Sequence, residues 1–485
     1  MPMKKSAALL LGIAILCAAC QSNNTFFKDT LCIKNITIID PEDGAKKSQT
    51  VLIKDGKILQ ITPSKELVLS SKNTVVDGTG KYLIPGLWDA HVHFAYIEEM
   101  APVMFDLFLA YGITSVRDTG GEIDFVKQWK DKAQADPLNT PRVMIAGPLL
   151  DGMPNVYDGS DIGHPPLSVG LKTVDDVVRK IEELDAQGVD LLKAYEMLTP
   201  EQFSKVAALG KVKGLKVTGH VPLSMDVISA SNAGLNSMEH LRNLELSCAF
   251  NADELLAQRK KLLALGKDDT GAILRTRIHQ TQRPDAINNF DETQANKVLQ
   301  VLAKNQTWQI PTLALNTGFV KKPFAKPGWD ADFQYFPGVI GQQWATEIAN
   351  VQQAEMTAFR IQQNDYMLDM VSRIHEAGIP IMAGTDTPIF YLTPGRSLHE
   401  ELAVLVEAGL SPLETLKTAT TNPALYFELE DELGRIKENY WADLLILDAN
   451  PLENINNTLR INAVIKQGQY LDRSAILDRL KARVK

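Results

Sequence analysis

Cysteine is scarce: the chain has four in 485 residues, and two of them, Cys17 and Cys20, fall within the first twenty positions. The other two, Cys32 and Cys248, lack CxxC spacing, so they give no thiolate metal signal and could form one disulfide at most. Long apolar runs are as rare. Residues 7–16 are the one candidate, and they are too few to cross a bilayer as a helix. Positive charge is not in excess. The formal net charge is −9 with both signs mixed, which argues against the basic face that a nucleic acid requires. There is no internal repeat and no low-complexity tract. Histidine is also sparse, at eight residues, yet four of these stand in an ordered set: His91, His93, His220 and His240, joined by Lys193 and Asp386.

The first residues read as a targeting segment. Lys4 and Lys5 precede the apolar run, and Ala18-Ala19-Cys20 follows it as a small-residue cleavage site. This resembles a bacterial lipoprotein signal, which implies removal of residues 1–19, lipidation of Cys20 and a polar tether over residues 20–30. Position 17 departs from that pattern: it holds Cys where such signals carry Leu, and Leu16 lies one step earlier. The expectation is an exported protein of the bacterial cell envelope, held at the membrane by its lipid alone. The rest of the chain is too long for one simple core and calls for a large domain plus a smaller one.

Residues 31–40 are rich in β-branched side chains and end in the turn Asp40-Pro41-Glu42-Asp43-Gly44. Asp55-Gly56 lies between apolar stretches and predicts a hairpin. Residues 75–78, 444–448 and 463–465 give similar short strands. Together they predict a small β-sandwich built from residues 31–85 and 430–472. Between these, residues 86–429 alternate strand-like and helical segments. The apolar runs are 87–94, 112–116, 142–146, 191–194, 216–218, 237–239, 309–313 and 379–383. Parallel strands with crossover helices follow, and a (β/α)8 TIM barrel is the simplest closed form. Residues 251–305 are polar and helical in pattern, and read as an insertion over the barrel mouth.

His91 and His93 are two apart on a predicted strand, so both side chains face the same way. His220 and His240 each end a short apolar run, as consecutive βα units would place them; singly, each reads more readily as a structural histidine. Asp386 directly follows residues 379–383 and is either a helix N-cap or a carboxylate at the barrel rim. A lysine such as Lys193 at the end of an apolar strand usually reaches for solvent. Beside cations it would be repelled unless carbon dioxide converted the neutral amine to a carbamate, an anion able to bridge two metals about 3.5–4 Å apart.

Larger motifs surround these residues. Asp77-Gly78-Thr79-Gly80 leads into Leu83-Ile84-Pro85-Gly86-Leu87-Trp88-Asp89-Ala90-His91-Val92-His93, followed by Gly112-Ile113-Thr114-Ser115-Val116-Arg117-Asp118. Ala383-Gly384-Thr385-Asp386-Thr387, Leu398-His399-Glu400-Glu401-Leu402 and Ala442-Asp443-Leu444-Leu445-Ile446-Leu447-Asp448 come later. In these the chain resembles the amidohydrolase superfamily, in its imidazolonepropionase-like and metal-dependent prolidase branch (Xaa-Pro and Xaa-Arg dipeptidases), from about residue 33 to 469. The resemblance implies His91, His93 and Asp386 on one divalent metal and His220 and His240 on a second. Carboxylated Lys193 and a hydroxide would lie between them, with zinc the expected ion.

Such a pair of metals would ionise water near neutral pH, and Asp386 would take its proton and pass it to the leaving amine. Tyr195, two residues beyond Lys193, is the candidate donor to the oxyanion, or else a wall residue. His164, Arg117, Arg396 and Tyr391 lie in segments that could reach the mouth, although Arg117 could equally pair with Asp118, Arg396 could sit at the surface, and His399 belongs to the helix beginning nearby. The expected activity is hydrolysis of a C–N bond in a dipeptide or N-acyl amino acid. The alternatives are a cyclic amide or lactone hydrolase, and a non-catalytic binding lipoprotein with structural metal. The expected partner is a small molecule, and the oligomeric state is open.

Overall fold

The computed structural model describes residues 30–66, 73–160 and 163–484. The expected leader, Cys20 and all of the tether but Thr30 lie outside them. Eight parallel segments close a barrel. Strands Leu87–Val92, Ile113–Asp118 and Arg142–Ile145 pair in that order, and Leu191–Ala194, Lys216–Gly219, Ser237–Glu239 and Trp308–Ile310 pair in theirs. The Asp190 amide joins the two sets through the Ile145 carbonyl at 2.9 Å. Residues 381–383 are the eighth stave. Ile381 bridges Gln309 in parallel, and the Ala90 amide reaches the Ala383 carbonyl at 2.9 Å. The expected run 309–313 stops at Ile310, because Pro311 has no N–H to donate and Leu313 already opens the helix Leu313–Lys321.

The barrel strands are buried on both faces, hence their near-continuous apolar sequence. Against that background several polar residues on these strands, among them Asp89, Arg117, Lys193, Thr218 and Glu239, are buried.

Both termini contribute to the second domain. Its eight strands form one hydrogen-bonded sheet in the order Gln469–Asp472, Ile461–Lys466, Leu444–Leu447, Tyr82–Pro85, Leu31–Asp40, Gly44–Lys54, Lys57–Pro63, with Thr74–Asp77 sharing an edge of Leu31–Asp40. The small β domain expected from both termini is thus present, its strands joined in one continuous hydrogen-bonded path. It has its own apolar core around Ile33, Ile36, Val51, Leu444 and Ile465.

The polar insertion is three helices, Ala252–Leu265, Gly271–Asn288 and Glu292–Asn305. Thr270 caps the middle one by accepting from the Ile273 amide. A Cβ at Gly271 would lie 2.3 Å from the Asn155 carbonyl oxygen, so only glycine lets this helix start so close to the barrel loop. Cys32 and Cys248 are both free and buried, one in the sheet and the other at the insertion, so the possible disulfide does not form. Among the described residues, no helix is long and apolar enough to cross a membrane.

Candidate active site

The six expected ligand residues converge on one cavity of about 150 Å³ at the C-terminal end of the barrel strands. Nε2 of His91 lies 3.3 Å from Nε2 of His93, and Oδ1 of Asp386 lies 3.2 and 3.0 Å from these two nitrogens. His240 Nε2 is 3.6 Å from the other Asp386 oxygen. The His220 and His240 rings have centroids 4.8 Å apart, and those of His91 and His240 are 4.7 Å apart. Lys193 is 1 % exposed and its Nζ makes no hydrogen bond to any described residue. Burial pulls its pKa down to about 8, with Glu239 opposing and Arg117 assisting.

Backbone geometry helps to bring them together. His240 and Asp386 both adopt left-handed conformations, φ 58° and 70°, which non-glycine residues hold only where the surroundings over-determine them. The Asp386 amide is tied to the His91 carbonyl at 2.8 Å. Asp386 caps no helix, so the N-cap alternative falls away. A Cβ on Gly384 would meet the His91 Cβ at 2.8 Å, so glycine is what lets the two segments touch.

Each imidazole has its Nδ1 occupied. His91 bonds Glu239 at 2.5 Å, His93 the Gly120 carbonyl at 3.0 Å, His220 Glu196 at 2.7 Å, and His240 the Thr312 hydroxyl at 2.6 Å. Carboxylates and a carbonyl can only accept, so Nδ1 carries the hydrogen on the first three rings, and Nε2 presents its lone pair to the cavity. Burial lowers His220 to about 3, which keeps that ring neutral. Burial works against the charge on Glu239, but Arg117 and Lys193 beside it hold the carboxylate well below its usual range.

Sequence reading missed Glu196, Glu239, Arg242 and Arg275. Glu196 is fully buried; its second oxygen takes His279 Nε2 at 2.7 Å, which ties the insertion to the His220 backing. The helix Gly271–Asn288 presents Arg275, His279 and Arg283 at successive i+4 positions, one face of the helix. That spacing was visible in the sequence. Tyr195 does line the cavity, its ring tilted against His220 with centroids 4.3 Å apart, and its hydroxyl accepts from Arg275 at 3.1 Å.

The four mouth candidates separate. His164 lies 3.2 Å from Arg275 at the cavity edge. Arg117 is instead inside the barrel beneath the site, bound to Glu239 at 2.7 Å, and it does not pair with Asp118, whose carboxylate accepts from the Phe94 and Gly120 amides. Neighbours on a strand point to opposite faces, which rules out the Arg117–Asp118 pair. Arg396 is taken up by the Gly328 carbonyl at 2.8 Å, and the buried Tyr391 hydroxyl by the Leu315 carbonyl at 2.7 Å, so neither lines the cavity. His399 sits in the helix Arg396–Glu407, between Thr458 and the Tyr111 carbonyl, as expected.

A closed parallel barrel, a sheet built from both termini and a histidine–carboxylate cluster at the strand ends occur together, and residues 82–471 match the amidohydrolase family model. The chain belongs to the amidohydrolase family. Ochratoxinase of Aspergillus niger is 42% identical over 82 residues, which is 16% of this chain and 16% of that protein. The sequence match thus spans about a sixth of that relative. Among solved structures, a Xaa-Pro dipeptidase with bound methionine has a TM-score of 0.65 at 19% identity, covering 92% of this chain and 100% of that one. A prolidase complexed with N-methylphosphonate-L-proline has a TM-score of 0.64 at 18% identity, with 92% and 100% covered. At such identities the two structures establish the fold alone.

Proposed function

We propose that this family member is a metal-dependent hydrolase that cleaves the C–N bond of a dipeptide or N-acyl amino acid. The observation that carries this reading is the meeting of four imidazole Nε2 atoms, one carboxylate and an unpartnered buried lysine in a single cavity. An ammonium buried without a partner is costly, and the fit improves if Nζ is neutral and modified. A neutral amine adding carbon dioxide forms an N–C bond, releases one proton and leaves a carbamate anion. With that anion the donor set suits two divalent ions: His91, His93 and Asp386 for one, His220 and His240 for the other, Lys193 between. Bound there, the pair, zinc in this reading, would supply Lewis acidity and ionise water near neutral pH.

The chain's own groups do the rest. Asp386 takes the proton of the attacking water and hands it to the departing nitrogen. Burial raises Tyr195 well above its usual pKa, so the phenol stays protonated and donates to the oxygen that develops charge. Arg242 and Arg275 line the same cavity and suit the carboxylate of the substrate. The ligands named for the dipeptidase and prolidase neighbours, an amino acid and a proline phosphonate, agree with a small amino-acid-like substrate. Purified protein assayed on a panel of dipeptides and N-acyl amino acids tests the reading. Turnover that chelation removes is expected; no turnover of any C–N substrate at full metal content rejects it.

We further propose that Cys20 is lipidated and anchors the protein on the exported side of a bacterial membrane. Cys20→Ser should shift it from membrane to soluble fractions, and continued membrane association would overturn the anchor.

A further inference from the structure

The cavity does not end at the histidines. Arg242 and Arg275 also line a second recess of about 440 Å³, which runs outward past His279 and Arg283 to Arg360. No Asp or Glu lines this groove. The absence matters because the chain as a whole is acidic, with a net charge of −9. Arg283 is answered by Glu245 at 2.9 Å. Arg242 is not: its nearest carboxylate is Glu196 at 3.9 Å, whose oxygens already serve His220 and His279, and its buried Nε has no hydrogen-bond partner among the described residues. Arg275 is hydrogen-bonded to Tyr195 and His164, not to a carboxylate. Arg360 stands exposed at the outer end, over the Phe319 ring at 4.8 Å. On another side of the mouth, Tyr96 joins the cavity to a recess lined by Glu98, Glu99 and Glu347, which would repel an anion.

Guanidinium groups largely withdrawn from water and hydrogen-bonded to no carboxylate are stabilised by an arriving anion. One carboxylate satisfies the inner pair, Arg242 and Arg275. Arg360 lies further along the same groove, and a single small carboxylate cannot occupy both ends.

We propose that the groove selects substrates whose leaving half carries two carboxylates, as when the released amino acid is a dicarboxylic one. This rests on the hydrolase reading and adds a substrate class to it. The second carboxylate is then the side chain of the released residue; a longer peptide brings only its one terminal carboxylate, placed further out, and the assay separates the two cases.

The test compares kcat/KM for N-acetyl-L-glutamate, N-acetyl-L-glutamine and N-acetyl-L-arginine, and for tri-alanine against di-alanine. The expected result is a preference for glutamate over glutamine of about tenfold or more, the scale of one charge-assisted contact. Arg360→Gln should shrink that ratio to near unity and Arg360→Lys should retain part of it. A larger gain for tri-alanine than for glutamate would show that the groove takes the single carboxylate of a longer peptide and would overturn the requirement for two. In parallel, glutarate should raise the melting temperature of the purified protein more than butyrate does, and Arg360→Gln should abolish the difference. Selective stabilisation by glutarate without cleavage of any amide would keep the groove and remove the hydrolase. Cleavage with equal or better use of the glutamine or arginine derivative, and no glutarate effect, would overturn the groove.

Discussion

The floor of the cavity rests on strand ends, whereas its arginine wall hangs from an inserted helix. On the floor, His91 and His93 come from the first barrel strand and Lys193, His220 and His240 from the ends of the fourth, fifth and sixth, and each imidazole is hydrogen-bonded from behind through Nδ1. On the wall, Arg275, His279 and Arg283 repeat every four residues along Gly271–Asn288 and reach outward to Tyr195 and His164, to Glu196, and to Glu245. Rigid strands suit chemistry that tolerates little displacement; an insertion can vary its face without disturbing the barrel. In this account the floor sets the reaction and the wall the substrate.

Substitutions can break that division. Lys193→Ala should do the most. Loss of the bridging group should lower metal content and cut kcat/KM by about 10³-fold or more, the scale of several kcal/mol of metal assistance. Metal analysis alongside kinetics checks it. Asp386→Asn keeps a ligand oxygen but cannot shuttle a proton, so kcat should fall by about 10²–10⁴-fold while most of the metal stays. Unchanged activity would remove Asp386 from that role. Tyr195→Phe should lower kcat by about 10²-fold with little change in metal, if its hydroxyl stabilises the oxyanion.

Glu196 joins the two regions, since it holds His220 of the floor and His279 of the wall. Glu196→Gln should cost about 10–100-fold in metal affinity or activity. His279→Gln should act on KM more than on metal content. If both variants lost metal equally, the division between floor and wall would not hold.

The meeting of the floor residues was legible because they sit at strand ends, where spacing alone sets direction. His91 and His93 share a face at any register of that strand. Asp386 follows an apolar run too short to be anything but a stave. The wall was not legible. Its arginines repeat with helical spacing, but sequence does not say which face of an inserted helix looks into the barrel. Arg117 was misread for a related reason. Seen beside Asp118 it suggests a local pair, whereas strand alternation turns it inward to Glu239, a contact spanning 122 residues. The second domain was read correctly as β structure from both termini. Whether its strands form two sheets or one depends on pairings such as Leu445 with Ile84, which no local pattern announces.

A change behind both regions should have the smallest effect. Glu401 is fully buried, accepts from the Ala314 amide at 2.6 Å, and burial raises its pKa from 4.5 to about 8. A carboxyl raised on folding contributes stability fully below its unfolded value of 4.5, and that contribution is lost as pH rises through about 8. The wild-type melting temperature should therefore fall between pH 5 and 8 by about a few degrees more than that of Glu401→Gln. Parallel curves for the two proteins would assign the decline to other groups.

The central claim is that the six floor residues form a paired-cation centre bridged by Lys193. Metal content per chain, measured on the wild type and on Lys193→Ala prepared side by side, tests it most directly. The account predicts two divalent ions in the first protein and a clear loss in the second; a metal-free wild type in metal-supplemented buffer, or equal content in both, would contradict it.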